Sequence, residues 1–372
     1  MGDGTEKNPY TRRDVLRLIK KNGGKAEGLL AFQAKRYYFR RKVKGIVISY
    51  PKFKGVFFED GIDLHGLNLQ HIILHHAHLE GANLKNANLE GAYLSNAHLE
   101  RANLWSANLD WAQLEEAHLE EADLMFANLE GAFLVSANLE KANLKYANLK
   151  EACLYNACLE GAYLDSAHLE GTDLSSAKLT RADLRDVKFP RDTNLEGAEW
   201  GNFILGAERA GEGKEKYKGY RGHTLGAAEA TYRNLKIWYT EHGFYDIAGK
   251  FFYREMEARR KAQSWKKEPH LKLWSWILRI LCGYGEKPER VIISAAAIVF
   301  GLAAAYCLWG SFDSSSFGDT LYYSVASFTA LGYGQWAPQP EGWAKGVGAA
   351  EAVLGVSMLA LFLVTFTRKM IR

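Results

Sequence analysis

Every fifth residue from position 64 to position 184 is leucine, 25 positions without a break. Two places before each leucine, from position 77 to position 182, the residue is alanine at 21 of 22 sites, with Thr172 the exception. A period of five matches neither the 3.6 of an α-helix nor the 2 of a strand. It fits a coil that turns a corner every five residues, so that four repeats complete one square turn. Leucine then fills the lumen and alanine is small enough to let the corners close, while the other three places, often Asn, Asp or Glu, face water. The register slips by one residue after Phe189, where residues 190–194 insert, and resumes weakly with Leu195, Trp200 and Leu205.

The rest of the chain follows other patterns. Residues 11–21 predict a short helix with Val15, Leu16, Leu18 and Ile19 on its apolar face and a capping box from Thr11 and Asp14. Residues 29–60, basic and aromatic without a clear period, are expected to cover the open end of the coil. A Gly-, Lys- and Glu-rich stretch at 206–222 reads as a linker. Residues 224–263 read as helix, broken in two at Gly243. Residues 270–282 place Trp274 and Trp276 beside Lys272 and Arg279, which suits a helix lying in a membrane interface or an ordinary packed helix. Two long apolar runs follow: 291–309, 19 residues with no charge, and 346–366, 21 residues with one, Glu351. The first would span about 29 Å as a helix, enough to cross a bilayer. Between them, residues 319–329 read as a helix that does not cross. Four segments result: residues 1–60, an N-terminal helix and cap; 61–205, the coil; 206–287, linker and interfacial helices; and 288–372, a two-span unit.

Charge divides the chain along the same lines. Residues 1–60 carry 15 basic and 6 acidic groups, residues 61–200 carry 10 and 22, residues 201–290 carry 18 and 11, and residues 291–372 carry 4 of each. Mean hydropathy is −0.24, so a membrane part is a minority of the length. Lys287 and Arg290 precede the first apolar run, Arg368, Lys369 and Arg372 follow the second, and residues 310–341 between them hold no Lys or Arg. By the positive-inside rule both termini are cytosolic and the protein is a two-span protein of the cell membrane. No apolar stretch of signal-peptide length is seen near the N-terminus. Cys153, Cys158, Cys282 and Cys307 lack metal-ligand spacing and read as free thiols of a reducing compartment.

The coil resembles the pentapeptide-repeat family, whose A-(D/N)-L-x-x pattern stands here in Ala82-Asn83-Leu84 and Ala107-Asn108-Leu109. The resemblance implies a right-handed quadrilateral β-helix. After residues 319–329 comes Ala330-Leu331-Gly332-Tyr333-Gly334. Backbone that is not helical is tolerated at membrane depth only when buried in protein or lining a wet cavity, and glycine permits the angles that turn successive carbonyls to one side. Four such loops about an axis would ring a dehydrated cation with oxygens. Here the chain resembles the two-transmembrane potassium channels, with their T-V-G-Y-G filter. The resemblance implies an all-α pore domain with a re-entrant pore helix, a homotetramer, and K+ ions held by Thr329, Ala330, Leu331, Gly332, Tyr333 and Gly334. Tyr322 and Tyr323 match an aromatic pair of the family's pore helix, and Gly355 stands where the family often has a hinge glycine. Ala330 replaces a threonine hydroxyl at the innermost ion site and Gln335 replaces an acidic residue after the filter, so strict K+ selectivity is open and a weakly selective cation channel is the alternative.

Glu351 lies inside an apolar run, where carboxylates are costly and are paired or functional. It is expected to hydrogen-bond to the back of the pore helix or, alternatively, to act as a proton-sensitive or cation-attracting site. His78, His98 and His118 are 20 residues apart and should stack on one outer face of the coil, as a solvated polar column or as a metal or proton sensor. The acidic coil admits a rival function, a DNA mimic that binds topoisomerases, but a membrane segment has no place in one. The basic stretch 35–44 reads as solvated charge, and no nucleic acid partner is expected. No nucleophile–base pair, phosphate loop or metal signature marks an enzyme, and no cofactor beyond K+ is expected. The partners are then other copies of the chain, the lipid bilayer and a cytosolic protein docking on the coil.

Overall fold

The computed structural model describes residues 2, 4–21, 36–43, 46–53, 56–202, 224–309, 316–330 and 340–370. The chain forms two compact units, Met1–His242 and Gly243–Arg372.

In the first unit the expected four-repeat turn is seen. Parallel bridges join residues 20 apart, such as Asn83 to Asn103 and Asn103 to Asp123. Each coil is tied to the next by bonds such as Leu84 N–H to Asn103 O, 2.8 Å, and Asn103 N–H to Ala82 O, 2.8 Å. The bridges are single residues, so the coil is built without continuous strands of its own. A corner lies within each five-residue step: Ala82 N–H bonds Leu79 O at 3.0 Å across a β-turn. The residue two places after each leucine takes a positive φ, near +56° at Asn86, Glu116 and Lys141 and +65° at Gly81. That left-handed place explains why Gly, Asn and Ser recur there. The leucines and alanines are sealed, nearly all at 0–1% exposure from Leu64 to Leu184. Thr172, at an alanine place, is also buried because its hydroxyl donates to Leu149 O at 2.7 Å. The insertion after Phe189 lengthens one turn by a residue: Asp173 pairs with Asn194 and Lys178 with Glu199, 21 apart. Leu195 and Trp200 are buried beyond it, whereas Leu205 and the linker at 206–222 lie outside the described residues.

Both ends of the coil are covered. At the N-terminus helix α1, Arg12–Lys21, starts in a reciprocal capping box, Thr11 N–H to Asp14 Oδ2 at 3.2 Å and Asp14 N–H to Thr11 Oγ1 at 3.3 Å. Tyr10 and Val15 are buried, as are Val56 and Phe58, and Tyr10 N–H bonds Phe57 O at 2.9 Å. Within the stretch expected to form the cap, strands β1, Arg36–Val43, and β2, Ile46–Phe53, pair antiparallel, an element the sequence did not predict. At the C-terminus helix α2, Thr224–Glu241, buries Tyr232, Leu235 and Tyr239. Tyr239 donates to Leu195 O at 3.0 Å and accepts from Trp200 Nε1 at 2.7 Å, and Thr231 donates to Leu184 O at 3.2 Å. The helices expected to form one linker segment are therefore divided: α2 is packed on the last coils.

The second unit begins at Gly243, whose φ of +82° ends the helical run. It holds α3 (Tyr245–Ala262), α4 (Pro269–Cys282), a 3-10 turn (Gly283–Gly285), α5 (Pro288–Leu308), α6 (Phe317–Thr329) and α7 (Trp343–Met370). Helices α5 and α7 are long and apolar enough to cross a membrane, yet only 22% of each apolar stretch is buried. A core helix of a soluble domain would be mostly covered. Here Ile293, Leu308, Val353, Leu359 and Val364 stand more than 60% exposed, as lipid- or subunit-facing side chains do.

Candidate ion-conducting site

The site is organised by α6. Its 13 residues reach about 20 Å, too short to cross a bilayer. Ser316 caps it, accepting from Gly318 N–H at 3.2 Å. It ends at Ala330, which adopts φ 54°, ψ 22° and donates its N–H to Ser327 O at 3.0 Å. Left-handed backbone at a residue with a Cβ costs roughly 1–2 kcal/mol, so this turn is held by its surroundings. Thr329 and Ala330 are both exposed, and the Thr329 hydroxyl donates back to Val325 O at 2.7 Å. Leu331, Gly332, Tyr333, Gly334 and Gln335 lie outside the described residues. Of the pore-helix tyrosines, Tyr323 is buried and Tyr322 is half exposed.

Three helices converge on one carboxyl group. Glu351 of α7 is 2% exposed; its Oε1 meets the Ser324 hydroxyl of α6 and its Oε2 accepts from Tyr306 of α5 at 3.1 Å. Ser324 Oγ also lies 3.0 Å from Val299 O. The one Ser324 hydroxyl thus has two acceptors in reach, Glu351 Oε1 and Val299 O. Above this node Tyr323 donates to Ala344 O at 3.2 Å and meets Tyr306 edge to face, centroids 5.3 Å apart. Trp343 stacks on Tyr306 at 5.7 Å.

Two glycines set how closely α7 approaches α6. A Cβ at Gly348 would stand 2.2 Å from the Tyr323 hydroxyl, and one at Gly355 would stand 1.7 Å from Phe328 O. Gly355, which stands where the family that the chain resembles often has a hinge glycine, lies against the last turn of α6. Tyr306, Ser324 and Gly348 were not singled out from the sequence. The legible signal for them was a serine in an apolar helix facing a lone intramembrane glutamate. Beside that turn a cavity of about 290 Å³ is lined by Val291, Ile292, Phe328, Thr329, Gly355 and Met358.

Outside the spans, Glu257 of α3 gathers Arg279 Nε (3.0 Å), Arg260 Nη2 (3.0 Å) and the Tyr284 hydroxyl (3.1 Å). Burial pushes its pKa up, but the Arg260 bond and charge, the Arg279 charge and the Tyr284 hydroxyl outweigh that and hold it below the ordinary carboxylate value. Arg290 at the start of α5 reaches back to Arg279 O at 3.0 Å, so this cluster ties α3 and α4 to the first span.

Pentapeptide repeats match residues 62–101, 82–121, 122–161 and 157–198, in 8 copies, and an ion channel domain matches residues 291–372. The chain joins a pentapeptide-repeat domain to an ion-channel domain. The ion-channel domain holds α5, α6 and α7, and its two spans place the protein in a membrane. Among solved structures, HetL, a pentapeptide repeat protein involved in heterocyst differentiation regulation from the cyanobacterium Nostoc sp. strain PCC 7120, is 28% identical, with 37% of this chain and 83% of that chain covered and a TM-score of 0.27. A second Nostoc pentapeptide repeat protein is 32% identical over 28% of this chain and 84% of that one, TM-score 0.23. QnrB1, a plasmid-mediated fluoroquinolone resistance protein, is 17% identical over 42% and 86%, TM-score 0.27. No curated protein matches the chain.

Proposed function

We propose that the chain is one subunit of a homotetrameric, K+-selective channel whose right-handed pentapeptide-repeat domain lies in the cytosol and serves assembly or regulation. The observation that carries this reading is α6. A helix too short to cross is capped at Ser316, clamped between two spans at Glu351 and Gly355, and leads directly into Ala330-Leu331-Gly332-Tyr333-Gly334. Its C-terminal carbonyls present the negative end of the helix dipole, which favours a cation beyond them. Four copies would surround an axis with the carbonyls of residues 330–334, replacing the hydration shell of K+. The Lys and Arg distribution supports cytosolic termini. Among the described residues no span carries a ladder of basic side chains, so gating through a charged sensor is not part of this reading.

Reversal potentials of the purified protein in planar bilayers under bi-ionic K+/Na+ conditions test the proposal. A reversal potential displaced towards that of K+ is the expected result. Equal permeability would instead identify a weakly selective cation channel, the outcome to which the missing hydroxyl at Ala330 points.

A further inference from the structure

We propose that the face of the coil bearing His78, His98 and His118 binds one first-row divalent transition-metal ion. The coil places these side chains in register: His78 bridges His98 and His98 bridges His118 through the backbone. Their rings stack 4.7 Å apart with interplanar angles of 4° and 1°, and Phe57 closes the upper end on His78 at 4.0 Å. Every ring turns Nδ1 towards the carboxylate two residues on. The separations are 3.0 Å for His78 and Glu80, 3.2 Å for His98 and Glu100, and 3.5 Å for His118 and Glu120. Two adjacent ligands on a tetrahedral Zn2+, each bonded at about 2.0–2.1 Å, stand about 3.3 Å apart. Each pair is thus set near the bite of such an ion, which Nδ1 binds when the neutral ring carries its one proton on Nε2.

The third ligand comes from the neighbouring coil. The donor atoms of His78, Glu80 and His98 lie within 4.8 Å of one another, and so do those of His98, Glu100 and His118. The stacked rings need only tilt towards each other for both Nδ1 atoms to reach one ion. His98 belongs to both triplets, which limits occupancy to one ion per chain. A second observation points the same way. Glu100 Oε2 and Glu120 Oε2 are shielded from solvent and accept no hydrogen bond, a costly condition that a cation relieves; Glu170 Oε2 shares it, but only Glu100 and Glu120 stand beside stacked histidines that supply the further ligands. The nearby guanidinium does not serve this purpose, because Arg101 pairs with Glu121 at 3.0 Å. The surrounding segment is strongly acidic, with 22 acidic and 10 basic residues over 61–200, which draws cations to it. Imidazole with carboxylate selects Zn2+, Co2+, Ni2+ or Cu2+ over Mg2+ and K+.

The test uses tag-free, full-length protein in detergent, stripped with chelator and titrated with Zn2+ by calorimetry and equilibrium dialysis. One saturable Zn2+ per chain is expected. His98→Asn should weaken it at least about tenfold, since that substitution breaks both triplets. Asparagine already occupies the same column at Asn138, so the coil accommodates it. His78→Asn and His118→Asn each leave one triplet and should keep one ion, while the double variant should lose it. His168→Asn, whose Nδ1 lies 3.9 Å from Glu170, should bind as the unaltered chain does. Unchanged affinity in His98→Asn, or no saturable binding by the unaltered chain, overturns the proposal.

Discussion

Single residues in this protein are constrained mainly by backbone angle and by close approach. Glu116 is exposed and holds φ +56° at a corner of the coil. Glu116→Gly removes the Cβ conflict and should raise the unfolding free energy by about 1 kcal/mol, while Glu116→Val should lower it, as denaturant titration would show. Gly355 meets the opposite constraint. A Cβ there would strike Phe328 O, so Gly355→Ala should cost roughly 1–3 kcal/mol or displace α6, read out as a lower thermal-unfolding temperature in detergent and lost current. Glu351→Gln keeps the shape and a carbonyl oxygen that accepts a hydrogen bond, so channel current should persist. Glu351→Ala removes the bonds from Tyr306 and Ser324 to this carboxyl group and should lower thermal stability and current together. Glu351 drew notice in the sequence because a lone carboxyl in an apolar run stands out. Tyr306 and Gly348 did not, since an aromatic and a glycine are ordinary in such runs and only packing gives them meaning.

At the scale of elements, the coil was legible and its coverings were not. A period of five admits few geometries, and the one-residue slip after Phe189 is written in the spacing of Leu184 and Leu195. The hairpin of β1 and β2 was hidden because Arg40, Arg41 and Lys42 interrupt alternation in one strand and Pro51 sits in the other. The destination of α2 was hidden for a different reason: amphipathic spacing reports that a face is buried, not against what. Within the coil, Asn88, Asn108, Asn128 and Asn148 form a ladder, each amide donating to the one before at 2.9–3.1 Å. Asn108→Ala breaks two of these bonds and should cost about 1–2 kcal/mol without altering neighbouring coils. The Glu257 cluster predicts a pH effect. A carboxyl held below its unfolded value adds stability above the ordinary carboxylate range and loses it as pH falls through the lowered folded value. Thermal unfolding of the membrane unit should therefore lose its acid sensitivity in Glu257→Gln, at lower stability near neutral pH.

Over the whole molecule, the two units predict separable behaviour. Residues 1–242 expressed alone should stay in the aqueous fraction with a cooperative unfolding transition, and residues 243–372 should sediment with membranes. A channel lacking residues 1–205 should change in open probability or assembly and keep its ion preference, as single-channel recording would reveal. The 20-residue turn, constant from Asp63 to Asp183, also makes the length of the first unit quantised, like a screw thread. Excising 20 residues, such as 104–123, removes one full thread and lets the cut faces meet in phase, shortening the rod by about 4.8 Å. Excising five instead swings everything beyond the cut, α2 included, through a quarter revolution about the axis, so any surface that must face one direction tolerates lost length in whole threads only.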